Sequence, residues 1–110
     1  MGMGREINQY DIFWVSLDPT MGSEMAKKRP GVVVSPNELN EHLRTIIIAP
    51  LTSTIKDYPF RVNCVVGDEQ GSIALDQIRT IDKARISTYM GHLRPSEIES
   101  VKSVLMEMFS

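Results

Sequence analysis

Apolar residues in this chain come in short runs, each cut off by turn-forming residues. The first run, Tyr10–Leu17 (YDIFWVSL), is closed by Asp18-Pro19-Thr20 and Gly22. The second, Gly31–Ser35, stops at Pro36-Asn37, and the third, Thr45–Leu51 (TIIIAPL), contains Pro50. Proline cannot donate to a ladder, so Pro50 belongs at a strand end, a bulge or an edge. Phe60–Val66 (FRVNCVV) alternates in part before Gly67-Asp68, and Ser72–Ile81 (SIALDQIRTI) interleaves Ile73, Leu75 and Ile78 with Asp76, Gln77 and Arg79. Ala84–Met90 is a weaker sixth run, and Asn37–Leu43 has room for one or two helical turns.

The period changes at the end of the chain. Ile98, Val101, Leu105 and Met108 recur at helical spacing, with Val104 and Phe109 widening the stripe. Ser96-Glu-Ile-Glu99 fits a capping box, in which Ser96 accepts from the first free amides and Glu99 reaches back. About six strands and one terminal helix in 110 residues predict a mainly β, strongly bent small barrel with a helical cap, formed as a single domain over 1–110.

Composition narrows the class without naming a function. The chain is 42% hydrophobic and 24% charged, the balance of an ordinary globular protein. No apolar run approaches the roughly 20 residues that span a bilayer, and Met1–Arg5 lacks the apolar centre of a signal peptide. The lone cysteine, Cys64, rules out an internal disulfide and a multi-cysteine metal site, and a cytoplasmic protein is expected. The formal net charge of −2 resides in the tail, where Glu97, Glu99 and Glu107 face only Lys102; eleven bases and eleven acids remain over 1–94. A local basic patch is therefore allowed but not required.

The stretch Gly22–Pro36 (GSEMAKKRPGVVVSP) sets an acid and three cations at the mouth of an apolar strand. Arg29 precedes a proline, which holds it extended at a strand entrance, and its planar fork suits phosphate oxygens. Glu24 either accepts a proton or pairs with Lys27 or Lys28 on a solvated loop, where such pairs are worth little. Thr52 and Ser53 end a β-branched run; their hydroxyls either bind a phosphate or satisfy a turn. Lys56 is a second phosphate-grade cation, and Tyr58 is a ring able to stack on a base. Tyr58-Pro59-Phe60 equally reads as a turn with core anchors, and Phe60 is assigned to the core. Asp76-Gln77 either reads base edges or satisfies buried backbone, and strand alternation puts Arg79 on the face of Gln77. His42 and His92 have no matching acid or second histidine at ligand spacing and read as structural or surface residues. No phosphate-loop, dinucleotide or zinc motif is present.

Taken in order, these stretches resemble the MazF/PemK/Kid toxins, the ribosome-independent RNA-cleaving halves of bacterial toxin–antitoxin pairs. The resemblance rests on Asp11-Ile12, Trp14-Val15 and Asp18-Pro19; on Gly22-Ser23-Glu24 with Arg29-Pro30; on Val33–Pro36 with Asn40; on Pro50–Ser53; on Tyr58-Pro59-Phe60; and on Asp76-Gln77 through Arg79–Asp82 to Arg85. It implies an SH3-like barrel capped by the terminal helix, a homodimer, and cleavage of single-stranded RNA without a metal or other cofactor. The substrate's 2′-hydroxyl would attack its own phosphate, giving a 2′,3′-cyclic phosphate and a 5′-hydroxyl. Arg29 and Thr52 would be the catalytic pair, with Glu24 assisting. Asp18, Ser53, Lys56, Tyr58, Asp76, Gln77, Arg79 and Arg85 would hold RNA, and a cognate antitoxin would occupy the same groove.

Some relatives carry an arginine two residues before the acid of the fifth strand; here that position is Ala74. The departure weighs against a mechanism that couples Asp76 to such an arginine and favours Arg29 with Thr52. Arginine does not give up its proton readily, so Arg29 suits stabilisation of the phosphorane, whereas Glu24 can take the 2′-hydroxyl proton. Two alternatives stand beside the nuclease: a protein-binding module resembling the CcdB gyrase poisons, which share the fold without cleaving RNA, and an inactive RNA-binding relative.

Overall fold

The computed structural model describes residues 6–110; Met1–Arg5, and with them the signal-peptide reading, lie outside the described residues. Seven strands form one antiparallel sheet that curls into a half-barrel: β1 (Asp11–Ser16), β2 (Lys28–Val33), β3 (Thr45–Thr52), β4 (Arg61–Val66), β5 (Glu69–Ala74), β6 (Arg79–Asp82) and β7 (Ile86–His92). Their order is β4-β5-β3-β2-β1-β7, with β6 laid on β3. Helix α1 (Asn37–His42) links β2 to β3, and helix α2 (Pro95–Phe109) ends the chain. Among the described residues no helix is long and apolar enough to cross a membrane.

The runs read as nearly unbroken apolar sequence because both faces of the curled sheet are covered. Ile12, Val32, Ala49, Leu51, Val62, Cys64 and Ile73 point to one side and pack with Val101 of α2. Phe13, Val15, Val33, Ile46 and Ile48, at the alternate positions of β1, β2 and β3, point to the other, where Leu17, Ile81 and Ile86 complete a second cluster. Burial pushes the Cys64 thiol up to about 12, aided by the Glu97 carboxylate, so it behaves as a small apolar group.

The expected fifth strand, Ser72–Ile81, is in fact two strands. Leu51 pairs with Ile73 and Thr52 with Ser72. An unbroken strand would then place Asp76 opposite Ile48, but Ile48 pairs with Arg79. The difference of three residues is the 3₁₀ turn Leu75–Gln77, which buries Leu75 and leaves Asp76 exposed. Arg79 therefore does not share the face of Gln77 through strand alternation.

The start of α2 also differs from expectation. Pro95 occupies its first turn and Arg94 is the N-cap, so the reciprocal bond comes from Glu97 rather than Glu99. Glu97 Oε1 accepts from Arg94 N at 2.8 Å and Oε2 from Val65 N at 2.9 Å, so one buried carboxylate joins the helix start to β4. Phe109 is 71% exposed and lies off the packing stripe, and Phe60, assigned to the core, is 36% exposed in a left-handed turn with φ 63°. His42 is a surface residue, its ring bonded to the Glu38 carbonyl. His92 does have an acid: its Nδ1 lies 2.9 Å from Oδ1 of the buried Asp11, which sits opposite it across β1 and β7.

Candidate functional site

Where β2 begins and β3 ends, the face that carries the second apolar cluster runs out into polar residues. The β2–β3 ladder pairs Val33 with Ile48, Val32 with Ala49 and Gly31 with Pro50. Gly31–Pro50 is the last pair of that ladder; continued two residues further, the same register would bring Arg29 opposite Thr52, on the face of Gly31 and Pro50. Packing is close at Gly31: a Cβ there would come within 3.2 Å of Val15 Cγ2, which would have to give by a few tenths of an ångström. Arg29 is half-buried, and its Nε donates to the Ala26 carbonyl at 3.1 Å, which steadies the guanidinium while both terminal nitrogens extend beyond that bond. Thr52 Oγ1 accepts from Thr54 N at 3.1 Å, the turn-satisfying role, yet a hydroxyl that accepts one bond still has its proton to donate.

Next to Pro50 lies a groove of about 400 Å³ lined by Glu24, Asp76, Gln77 and Arg79 over Met25, Pro50 and Ile78, with neither Arg29 nor Thr52 in its lining. Gln77, at the end of the 3₁₀ turn, and Arg79, at the start of β6, both line it. Glu24 Oε1 closes its own turn by accepting from Met21 N at 2.7 Å. Gln77 Oε1 accepts from Met25 N at 3.3 Å, and the Gln77 side chain also helps hold the Asp76 carboxyl ionised. Arg79 donates to the Leu17 carbonyl at 3.2 Å. Arg85 donates to the carbonyls of Ser16 and Asp18, and Asp18 Oδ1 accepts from Lys27 N at 3.0 Å. Asp18, Arg79 and Arg85 thus hold the loop after β1 in place beside the groove. Lys27 itself has φ 68°, a left-handed conformation that a side chain adopts at a cost.

Sequence reasoning missed Arg61. It stands on β4 opposite Ala74, the position where an arginine is lacking, and makes a two-pronged bond to Asp76: Nε to Oδ1 at 2.6 Å and Nη2 to Oδ2 at 3.2 Å. The cation comes from the neighbouring strand, a relation visible only once the register is known. The guanidinium also lies 5.1 Å from the centre of the Tyr58 ring, and Lys56 Nζ lies 5.3 Å from it while donating to the Tyr58 hydroxyl at 3.3 Å. Ser53, Lys56 and Tyr58 are all exposed on the segment after β3.

The Arg61 bond holds the Asp76 carboxyl below its ordinary value of 3.8. A carboxylate kept ionised in this way is a poor proton acceptor at neutral pH. Because the folded state prefers the ionised form, this stabilisation is fully present above the ordinary carboxylate range and is lost as pH falls through the lowered value. Asp76→Asn should therefore cost up to about 1 kcal/mol at pH 7, and the gap to the parent should close on acidification. Chemical unfolding at pH 7 and at successively lower pH checks this; a gap that does not narrow on acidification counts against the ion pair.

Among the described residues no group of three or more His, Cys, Asp or Glu is placed to hold a metal ion. The groove itself offers hydrogen-bond donors, the Arg79 cation and two carboxylates, of which Asp76 is paired with Arg61 and Glu24 has no ion pair among the described residues.

The family model for the PemK-like, MazF-like toxin of type II toxin–antitoxin systems matches residues 8–109. The endoribonuclease toxin MazF of Escherichia coli is 40% identical over 95 residues, covering 84% of this chain and 85% of the relative. Among solved structures, MazF from Deinococcus radiodurans superposes with a TM-score of 0.85 at 24% identity, covering 96% of this chain and 97% of that one. A mycobacterial endoribonuclease solved with its cognate antitoxin gives 0.78 at 22% identity, covering 92% of each chain. The curled sheet, its helical cap and the matched sequence lead to one conclusion: this chain belongs to the PemK-like, MazF-like toxin family of type II toxin–antitoxin systems.

Proposed function

We propose that the chain is, as one domain, a metal-independent endoribonuclease toxin that cleaves single-stranded RNA by transesterification. The observation that supports this reading is the β2–β3 ladder, which ends at Gly31 and Pro50, two residues short of Arg29 and Thr52 on their strands, with Pro50 lining the groove. In the proposed step the 2′-oxygen attacks the adjacent phosphorus and the P–O5′ bond breaks. Glu24 accepts the 2′-hydroxyl proton, and the departing 5′-oxygen takes a proton from solvent. The terminal nitrogens of Arg29 stabilise charge on the phosphorane, and the Thr52 hydroxyl orients a non-bridging oxygen. Asp76, Gln77 and Arg79 face the nucleotide in the groove, Ser53, Lys56 and Tyr58 flank it, and Asp18 and Arg85 fix the loop that closes one side. Holding the nucleotide in line for attack supplies much of the rate.

The same reading places the protein in the cytoplasm, as a homodimer neutralised by a cognate antitoxin that covers the groove. Relatives solved together with antitoxins support that partner. The deciding experiment incubates purified protein with single-stranded RNA in EDTA and sequences the 5′-hydroxyl ends. Products ending in 2′,3′-cyclic phosphate are expected. RNA left intact beside a captured protein target would favour the gyrase-poison-like alternative, and RNA bound but uncut would favour the inactive relative. For Glu24→Gln the acid limb of the pH–rate profile should flatten; an unchanged limb would remove Glu24 as the base.

A further inference from the structure

Among the described residues, one buried side-chain polar atom lacks a hydrogen-bond partner: Ser72 Oγ, on a residue with no solvent exposure. A buried hydroxyl left unbonded costs stability, so its presence calls for a reason. Its position supplies one. Ser72 is paired directly with Thr52 across β3 and β5, so the two side chains leave the same face of the sheet with Cβ atoms roughly 5 Å apart. A staggered rotation at Ser72 brings its hydroxyl within reach of Thr52. Thr52 Oγ1 already accepts one bond, from Thr54 N, and has a second lone pair to offer.

We propose that Ser72 is a positioning residue for the cleavage reaction: its hydroxyl donates to Thr52 Oγ1 when RNA is bound, directing the Thr52 proton at the scissile phosphate. This rests on the role given to Thr52 above. With two donors on its oxygen, the Thr52 hydroxyl is fixed in rotation and polarised toward the phosphate. Asn63 is the other cross-strand neighbour of Ser72, but it is exposed, so water can satisfy it without Ser72.

The proposal predicts that stability and activity part company. Ser72→Ala removes an unbonded buried hydroxyl at nearly constant volume, so its unfolding midpoint should equal or exceed that of the parent. Its kcat on a single-stranded RNA oligonucleotide should fall about fivefold to tenfold with KM unchanged, the loss of one hydrogen bond. In a Thr52→Val background, Ser72→Ala should have no further effect. Two results overturn the proposal alone: Thr52→Val lowers kcat while Ser72→Ala does not, or Ser72→Ala lowers it equally in both backgrounds. If Thr52→Val cleaves at the parental rate, the catalytic reading of Thr52 falls and this proposal falls with it.

Discussion

Arg29→Ala is expected to lower RNA cleavage by about a hundredfold or more while leaving the fold intact, since one donor aimed at transition-state charge is worth about that much. The structure separates the two consequences. Truncation removes a single bond, from Nε to the Ala26 carbonyl on a surface loop, and a net bond of that kind is worth about 1 kcal/mol. The backbone of β2 stays held by its ladders to β1 and β3. Arg29→Lys keeps the charge but loses the planar fork, so it should recover only part of the rate. Single-turnover cleavage together with the unfolding midpoint measures both. Cleavage at the parental rate in the alanine variant would remove Arg29 from the mechanism.

Glu97→Ala should have the largest structural effect among the polar residues. The side chain is 8% exposed, and its two oxygens satisfy the amides of Arg94 and Val65. Removing it strips the helix of its cap bond and leaves the half-buried Val65 N–H without this partner, together costing about 2–3 kcal/mol. For a domain of this size that lowers the melting temperature by roughly 8–15 °C. Glu97→Gln should fall between, since an amide offers one acceptor where the carboxylate offers two. Calorimetry on the three proteins checks the series. Because α2 packs on the opposite face from Arg29 and Thr52, cleavage by the folded fraction should be unchanged. An alanine variant that melts with the parent would show that the bridge is not a determinant of stability.

Most of the strands and the helix were legible because their signals are local. Turn residues cut the chain where the strands end, and the helical stripe from Ile98 to Met108 is real apart from Phe109. The box at the start of α2 was ambiguous, since Arg94–Glu97 and Ser96–Glu99 have the same spacing. Pro95 was the available signal, because proline favours the first helical position and shifts the cap back to Arg94. What could not be read were relations set by register. Arg61 meets Asp76, and His92 meets Asp11, across strands whose alignment no single segment encodes. The break within Ser72–Ile81 has one local sign, the three-residue spacing of Leu75 and Ile78, which departs from strand alternation and fits the 3₁₀ turn. The candidate site followed the same division. Arg29, Thr52 and Gln77 stood out by residue type and place, whereas Arg61 and Ser72 gained significance only from the residues opposite them.

The three-residue turn between β5 and β6 gives the scaffold a particular tolerance. Each flanking strand is pinned to β3 by its own pairs, so neither depends on the turn for its alignment. Residues inserted or deleted between Leu75 and Gln77 would alter what projects into the groove while both ladders keep their partners. Changes in the side chains that line the groove could thus accumulate in a hairpin-sized segment, sparing the pairing on either side of it.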